Sequence, residues 1–348
     1  MKVRLQPRVT TTMSLDVHVD SGVGAFDLPA WQEILRKEER RQVFATPEWN
    51  RVWWEEFGEG KDLGVLSLSR GSEVVGIVPL YRKEEHGRKI LRFVGGIDLS
   101  DYLGPICAVE DRGDVADALV GWLKETSSEW DEFDAHNMPV PFGFADLLVE
   151  RADRAGFSFL LDQEETAAVL PLASTWDDYL GSLEAKERHE LKRKRRRLFR
   201  EHPDASIRSS TPGTLERDLE IFFEMHRGAD GLKGHFMDPG VATFFARVAR
   251  AFSPLGWLRL EFLEIGQRAL ASTFGFGLDG AIYLYNSAFD ADARRLSPGM
   301  LLVAHQIEGA IGAGLHTFDF MRGPERYKYR LGAQAVPLNN LRVLREET

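Results

Sequence analysis

The residues best suited to chemistry lie in one stretch, Ala281–Ala333, which combines tyrosines, a glycine-containing helix start and a cluster of charges. Its first part alternates between polar and apolar residues, as a pleated strand does. One side of this strand carries Ile282, Leu284 and Ala288, and the other side carries Tyr283, Tyr285 and Ser287. Both tyrosine hydroxyls are therefore expected to face the same way.

A helix start that suits an anion follows this strand. Ser297 can accept hydrogen bonds from first-turn amides, Pro298 loses no hydrogen bond at the first helical position, and Gly299 lets the backbone approach a phosphate. The helix ends near Gly312, and His316–Met321 reads as the next strand. The sequence thus predicts a right-handed βαβ crossover with an anion site at the carboxyl end of its first strand.

Composition indicates a water-soluble globular protein of about two domains. The chain has 348 residues, of which 43% are hydrophobic and 28% charged. No apolar run approaches the roughly 20 residues of a bilayer helix and the first residues lack a signal-peptide core, so a cytoplasmic location is expected. The single Cys107 excludes an internal disulfide and reads as a small core residue. The nine histidines show no metal-ligand spacing, so no metal is expected.

A weak internal repeat divides the chain. In each half a capping residue and a proline, Thr46-Pro47 and Asp238-Pro239, open a helix rich in aromatic residues that precedes two strands. The first half ends near Leu161, which gives lobes 1–161 and 162–348. Its own crossover helix, Val115–Lys124, follows Arg112, Gly113 and Asp114. Because Asp114 would cap the helix but repel a phosphate, the first lobe is not expected to bind the donor.

Between the repeats, Trp176–Phe199 reads as one helix with an apolar face. It contains Lys192–Arg197, six consecutive cations in a protein of net charge −10. Two interpretations stay open. The strip could hold the phosphates of a nucleotide, an acyl donor, tRNA or a lipid headgroup, or it could be a solvated helix whose arginines pair with acidic patches.

The 281–333 segment resembles the acyl-CoA N-acyltransferases of the GNAT superfamily, in the branch of the CelD-like and Fem-type aminoacyl transferases. The resemblance is carried by the tyrosine-bearing strand with Asn286 and Ser287, by Leu296–Met300, by Phe318–Phe320 with Arg322-Gly323, and by Tyr327-Lys328. It extends more weakly over most of the chain, at Phe44–Trp49, Pro79-Leu80 and Asp101-Tyr102. The pyrophosphate loop of ordinary GNAT enzymes, Arg/Gln-x-x-Gly-x-Gly/Ala, is replaced here by Arg295 followed by Leu-Ser-Pro-Gly.

The resemblance implies direct attack of a neutral amine on a carbonyl, usually a thioester. The donor phosphates are then expected at the amides of Gly299, Met300 and Leu301, beside Ser297, Arg294 and Arg295. Lys328 matches a lysine that the Fem-type family associates with the reacting carbonyl. Tyr285 is expected to hydrogen-bond the carbonyl or the leaving group, with Tyr283 as its alternate, although both could be ordinary strand aromatics.

Asp319, Asp101 and Tyr102 have two interpretations each. Asp319 is either a base or half of a structural ion pair with Arg322. Asp101 and Tyr102 either stand at the mouth of an acceptor cleft or form a surface turn. The acceptor loop is expected at His226 and Arg227, followed by the glycine-rich stretch 230–235.

These observations predict an α/β fold with a mixed sheet, formed by two tandem GNAT-like lobes joined by a basic helix. The expected function is transfer of an acyl group, from acyl-CoA as a small-molecule donor substrate, to an amine acceptor, without a metal. One alternative is a Fem-type enzyme with an aminoacyl-tRNA donor. The other is a noncatalytic GNAT-like partner protein. The oligomeric state stays open.

Overall fold

A computed structural model describes residues 14–38, 42–228 and 237–345. The strands in this part are Asp16–Asp20 (β1), Asp62–Arg70 (β2), Glu73–Glu85 (β3), Arg88–Phe93 (β4), Ile106–Cys107 (β5), Glu132–Pro139 (β6), Ser158–Pro171 (β7), Ala205–Ser209 (β8), Leu258–Ile265 (β9), Arg268–Leu278 (β10), Ala281–Phe289 (β11), Thr317–Arg322 (β12) and Gln334–Leu344 (β13). The helices are Pro29–Lys37 (α1), Pro47–Phe57 (α2), Arg112–Glu125 (α3), Phe144–Ala155 (α4), Trp176–Ser182 (α5), Ala185–Glu201 (α6), Leu215–Arg227 (α7), Pro239–Phe252 (α8), Pro298–Gly312 (α9) and Arg326–Arg330 (α10).

The described strands form one mixed sheet in the order β1-β2-β3-β4-β6-β13-β7-β12-β11-β10-β9-β8, with β5 paired to β3. Each half contains an antiparallel hairpin and one parallel pair, β4 with β6 and β11 with β12. A helix, α3 or α9, connects the strands of each parallel pair. The predicted mixed α/β architecture with a βαβ unit in each half is confirmed.

The link between the halves differs from the prediction. The long strand β7 crosses the predicted boundary at Leu161 and pairs with β12 and β13, while β13 also pairs with β6. The basic helix α6 instead precedes β8 at the far edge of the second half. A basic helix that joins the lobes is therefore not confirmed, because the join is made within the sheet. The division into lobes 1–161 and 162–348 stays a prediction.

The two aromatic helices of the repeat begin as predicted. Thr46 Oγ1 accepts from the amide of Trp49 at 3.3 Å, and Asp238 Oδ1 accepts from the amide of Val241 at 2.9 Å. Helices α2 and α8 then pack together, with the rings of Trp49 and Phe244 5.2 Å apart. This pairing places one large aromatic core between the halves.

Two further cores lie on the opposite face of the sheet. Helices α3 and α4 cover the first half, and α5, α6 and α9 cover the second half. The predicted faces of β11 follow this division, since Ile282 and Leu284 pack under α9 while Tyr283 and Tyr285 face the aromatic core. Cys107 is buried in the first-half core, as expected.

The predicted helix 176–199 is two helices. α5 ends at Ser182 and α6 begins at Ala185, while Leu183 adopts an extended conformation and is buried. Gly181 and Ser182 are weak helix formers, and burial of Leu183 stabilises the break. At the start of α3, Asp111 occupies the N-cap position, while Asp114 lies inside the first turn and pairs with Arg70.

Candidate active site

The strands β11 and β12 separate along their length. They pair in parallel over three residues each, from Ala281 opposite Thr317 to Tyr283 opposite Asp319. Both strands continue beyond this point, but they no longer pair with each other. On its other side β11 carries a bulge at Tyr285, opposite Gly275. A Cβ at position 275 would lie 2.3 Å from the carbonyl oxygen of Tyr283, so this close approach requires glycine. The separation and the bulge open a gap in the sheet.

A cavity of about 290 Å³ occupies this gap; we call it the splay cavity. Its described lining residues are His226, Leu284, Tyr285, Asn286, Ser287, Phe320, Arg322, Glu325, Tyr327 and Lys328. The cavity thus lies at the carboxyl ends of two parallel strands, where α/β proteins commonly bind ligands.

Lys328 is buried in the wall of the splay cavity, with 4% of its side chain exposed. Its ammonium donates to the carbonyl oxygens of Arg322 at 2.5 Å and Met321 at 3.3 Å, and it pairs with Glu325 at 2.9 Å. Lys328 is therefore not a solvated surface lysine. These bonds stabilise the turn that follows β12. The ammonium therefore has a structural role and also places a fixed positive charge beside the cavity.

Opposite Lys328, a polar chain follows the end of β11. His226 Nε2 lies 2.8 Å from Asn286 Oδ1, which also accepts from the amide of Ser287 at 2.7 Å. The Asn286 side-chain oxygen can only accept hydrogen bonds. The His226 Nε2 must therefore donate to it, so Nε2 carries a proton in this arrangement. Tyr327, whose pKa is raised by burial, hydrogen-bonds Ser287. These side chains make the cavity wall polar on the β11 side.

Tyr285 lines the splay cavity, but its hydroxyl proton is engaged. The hydroxyl donates to the carbonyl of Leu99 in the first half at 2.7 Å. Burial raises the pKa of Tyr285 well above its usual value. The group therefore fixes β11 to the first half, and its oxygen can still accept a hydrogen bond.

The start of α9 lies beside the end of β11. A Cβ at Gly299 would lie 3.8 Å from the ring of Phe289, the last residue of β11. The helix begins at Pro298 as predicted, but Ser297 has a left-handed backbone, with φ of 55°, and makes no side-chain cap. The Leu301 amide already donates to the Ser297 carbonyl at 3.2 Å. An anion would therefore meet the amides of Gly299 and Met300, and not that of Leu301.

Positive charge surrounds this helix start. Arg294 and Arg295 are exposed, and Arg295 lies 4.0 Å from Glu201. Lys194, on the basic helix α6, places its ammonium 3.7 Å from the sulfur of Met300. Nothing in the run of cations singles out Lys194, because only the packing of α6 on α9 brings it here.

Most other cations of the run have acidic partners. Arg193 pairs with Glu190, Arg195 with Glu308 on α9, and Arg197 with Glu201. Lys192 and Arg196 are exposed. Several arginines therefore form ion pairs, as the second interpretation expects. Lys194 lies beside the start of α9, and phosphate binding by the strip stays a prediction.

The predicted pairing of Asp319 with Arg322 is wrong. Arg322 Nε donates to Asp101 at 2.7 Å, and its other nitrogens donate to Asn137 Oδ1 and the Ile97 carbonyl, each at 2.9 Å. All three acceptors belong to the first half. In a regular strand, successive side chains point to opposite faces. Met321 interrupts this alternation because its φ is left-handed, at 63°, and the pairing register of β12 with β7 shifts between Asp319 and Arg322. The shift turns Arg322 toward the first half.

Asp319 bonds to Tyr102 instead. The Tyr102 hydroxyl lies 2.8 and 3.0 Å from the two carboxylate oxygens, and the Met321 amide donates to Oδ1 at 2.8 Å. Burial raises the pKa of Asp319 to about 7 and that of Tyr102 well above its usual value. Asp101 and Tyr102 are both buried, so they form neither an open mouth nor a surface turn.

Tyr283 and Asp319 face a second cavity of about 370 Å³, which we call the interlobe cavity. It lies at the amino ends of β11 and β12 and is also lined by Tyr102, Asp279, His316 and Thr317. Tyr283 and Tyr285 therefore share a strand face, as predicted, but line different cavities. Asp319 is not among the described residues that line the splay cavity.

The predicted acceptor loop is placed only in part. His226 is buried against the splay cavity, whereas Arg227 is exposed at the end of α7. The glycine-rich stretch 230–235 lies outside the described residues. Within the described part of the chain, no group of three or more His, Cys, Asp or Glu side chains is arranged to hold a metal ion.

Residues 185–329 match the family model for the acetyltransferase (GNAT) domain. This segment of the chain is similar to the GNAT domains of acetyltransferases. The match contains the splay cavity, the start of α9 and Lys328, so the predicted superfamily is confirmed for the segment in which the sequence placed the chemistry. No curated protein matches the chain in sequence.

Solved structures extend the GNAT-like fold over both halves. FemX has a TM-score of 0.63 at 11% identity, over 89% of this chain and 94% of that chain. A tandem GNAT protein from the clavulanic acid biosynthesis pathway has a TM-score of 0.50 at 12% identity, over 96% and 100%. The C-terminal domain of a putative lysylphosphatidylglycerol synthetase from Agrobacterium fabrum has a TM-score of 0.55 at 13% identity, over 93% of each chain. Identities this low establish the fold alone.

Several residues that line the splay cavity have no role assigned from the sequence. Glu325 and Tyr327 adjoin Lys328 in sequence, and Asn286 and Ser287 were noted only as part of the resemblance. Their proximity to Tyr285 and Lys328 was the available signal. Among the helices of the described residues, none is long and apolar enough to span a bilayer.

Proposed function

We propose that the chain is an N-acyltransferase that transfers an acyl group from acyl-coenzyme A to an amine on a small molecule. The observation that carries this proposal is the separation of β11 and β12 directly beside the start of α9. This arrangement offers one place for the donor's phosphates and an adjoining cavity for its acyl group.

The start of α9 suits the phosphates of such a donor. The amides of Gly299 and Met300 lie in the first helical turn, where the helix itself provides no acceptor, and Ser297 supplies no side-chain cap. Arg294, Arg295 and Lys194 add positive charge around them. The amides and these three cations together favour a ligand that bears several negative charges.

The splay cavity suits the transfer step. The amine nitrogen bonds to the thioester carbonyl carbon, the carbon–sulfur bond breaks, and the surplus amine proton leaves while the thiolate is protonated. Negative charge develops on the carbonyl oxygen, and the fixed ammonium of Lys328 would stabilise it. We assign Tyr285 a positioning role through Leu99, with its oxygen as an acceptor. Asp319 is left out of the step because it faces the interlobe cavity.

Gly299→Asp should weaken acetyl-CoA binding by about tenfold or more, because a carboxylate at this position repels phosphate. A Cβ fits there, and an acidic residue in the first turn stabilises a helix, so the variant should fold. Isothermal titration calorimetry with acetyl-CoA is the measurement. Gly309→Asp, an exposed position further along α9, is the matched control. Unchanged affinity in folded Gly299→Asp would place the donor elsewhere.

Lys194→Gln should weaken acetyl-CoA binding by about fivefold in low salt, since one partly screened charge contact contributes about 1 kcal/mol. The difference from wild type should shrink as salt is raised. Lys192→Gln removes an exposed charge of the same helix and should change affinity little. Equal effects of the two substitutions would show that only the general charge of α6 matters.

An aminoacyl-tRNA donor is the second candidate, favoured by the exposed cations Lys192 and Arg196 on α6. Filter binding with bulk tRNA, in competition with acetyl-CoA, separates the two donors. Unbiased mass spectrometry of small molecules that copurify with the protein tests the acyl-CoA assignment directly. Donor binding without transfer to any amine in a broad panel would favour a noncatalytic GNAT-like partner.

A further inference from the structure

The interlobe cavity is separate from the splay cavity, in which the transfer step is placed. Pro139 and Phe142 from the first half, Val169 and Pro171 from β7, and Val336 from β13 form apolar walls. Its volume of about 370 Å³ lies in the range of small-molecule sites. The cavity therefore offers a small ligand apolar walls and one polar end.

The polar end is acidic. Asp319 and Asp279 line it, together with the hydroxyls of Tyr102, Tyr283 and Thr317. Among its described lining residues there is no lysine or arginine. The splay cavity, by contrast, has Arg322 and Lys328 in its wall. The two cavities of this sheet thus suit ligands of opposite charge.

Asp319 has capacity for one more partner. Its Oδ1 accepts from the Met321 amide, and the single Tyr102 hydroxyl proton lies between Oδ1 and the nearer Oδ2. A carboxylate oxygen can accept two hydrogen bonds, so Oδ2 can take a further donor from the cavity. The carboxyl is 5% exposed, and a buried carboxylate without a cation in hydrogen-bond contact is unfavourable.

We infer that the interlobe cavity is a binding site for the protonated amine of a small, partly apolar molecule, with Asp319 as its counter-ion. An anion would meet two carboxyls there, and a purely apolar molecule would leave the free position on Oδ2 unused. The site stands whether or not the chain transfers acyl groups. Two sources share this ligand chemistry: the amine acceptor of the proposed reaction, and an amine effector that is not consumed.

The ionisation of Asp319 gives the site a defined pH dependence. Its pKa, about 7, is raised by burial and by the nearby Asp101 and lowered by the Met321 amide, Tyr102 and Lys328. Tyr283, Asp279 and His316 also line the cavity and complete its titratable surroundings. Because an ammonium ion needs the carboxylate form, affinity should rise as the pH passes upward through about 7. Binding near pH 6.5 should release a proton.

The test uses benzylamine and butylamine as probes, with benzyl alcohol as an uncharged match for benzylamine. Calorimetry at pH 6.5 and 8, in two buffers of different ionisation enthalpy, gives affinity and proton release. We expect an amine to bind about tenfold more tightly than benzyl alcohol at pH 8, and to release a proton at pH 6.5. Failure of both amines to bind, or equal binding of benzylamine and benzyl alcohol, would overturn the inference.

Variants locate the binding. Asp319→Asn keeps the size of the side chain and should lower amine affinity by about tenfold, while acetyl-CoA affinity stays unchanged. Asp153→Asn, exposed on α4, is the matched control. Should Asp319→Asn fail to fold, Val336→Phe fills the cavity from the β13 side and should have the same effect. Wild-type amine affinity in the folded variant would contradict the site.

A final arm identifies the role of the amine. Incubation with acetyl-CoA and analysis by mass spectrometry reveals whether the bound amine becomes acetylated. Acetylation lost in Asp319→Asn supports the acceptor role, and binding without acetylation supports the effector role. If only the acyltransferase proposal is wrong, the amine should still bind, while acetyl-CoA should neither bind nor react.

Discussion

Lys328→Met should lower the rate of acyl transfer at saturating donor by about a hundredfold, while acetyl-CoA affinity changes little. Methionine keeps most of the apolar length of lysine and removes a charge that lies in the wall of the splay cavity, with only 4% of the side chain exposed. A fixed cation on a buried side chain stabilises developing negative charge far better than a cation in solvent. Single-turnover transfer, followed by release of the coenzyme A thiol, is the measurement.

The structural role of Lys328 must be separated from this electrostatic role. The substitution also removes the donor to the Arg322 carbonyl, so a loss of stability of about 1–3 kcal/mol is expected and assays belong well below the unfolding transition. Glu325→Gln is the matched control, because it removes the ion pair and keeps the ammonium. A rate loss in Glu325→Gln as large as that in Lys328→Met would assign the effect to the turn. Wild-type transfer by Lys328→Met would remove the charge from the mechanism.

Arg322→Leu should lower the free energy of unfolding by about 3–5 kcal/mol, the usual cost of removing one partner of a buried ion pair. The guanidinium joins Asp101, Asn137 and the Ile97 carbonyl to the end of β12. Its loss leaves the Asp101 carboxylate, 11% exposed, between the halves without its cation. Urea unfolding followed by tryptophan fluorescence is the measurement.

Two controls sharpen this result. Arg326→Leu changes an exposed arginine nearby and should cost less than about 0.5 kcal/mol. Adding Asp101→Asn to Arg322→Leu should restore about 1–3 kcal/mol, because the carboxylate is then no longer charged. Strictly additive losses in the double variant would mean that the two side chains do not interact as the structure has them.

Local patterns in the sequence predicted the elements of the site well. Alternation gave the faces of β11, and the prolines at 47, 239 and 298 marked true helix starts. The same local reasoning predicted a cap at Ser297, where the backbone is left-handed. Side-chain capping needs an extended backbone, and that backbone is set by the short helix Ala291–Leu296 that precedes it.

Partners far apart in the chain escaped prediction. Asp319 bonds Tyr102 across 217 positions, and Arg322 bonds Asp101 across 221. Nearness in sequence suggested that Asp319 and Arg322 pair with each other, but the left-handed Met321 between them turns Arg322 away. Lys194 shows the same limit, since its place beside Met300 depends on how two helices pack. Long-range contacts of this kind follow from the sheet order, which the sequence did not give.

The position of β13 has a consequence for the order of folding. This strand follows all other described strands along the chain, yet it lies between β6 and β7 in the sheet, where Leu344 pairs with Glu132. Until it is synthesised, β6 and β7 each present an unpaired edge, the kind of surface on which chains aggregate. Pairing over so long a separation is also slow. Newly made chains should therefore depend on chaperones at this stage, and the two halves should gain their full protection from proteolysis together.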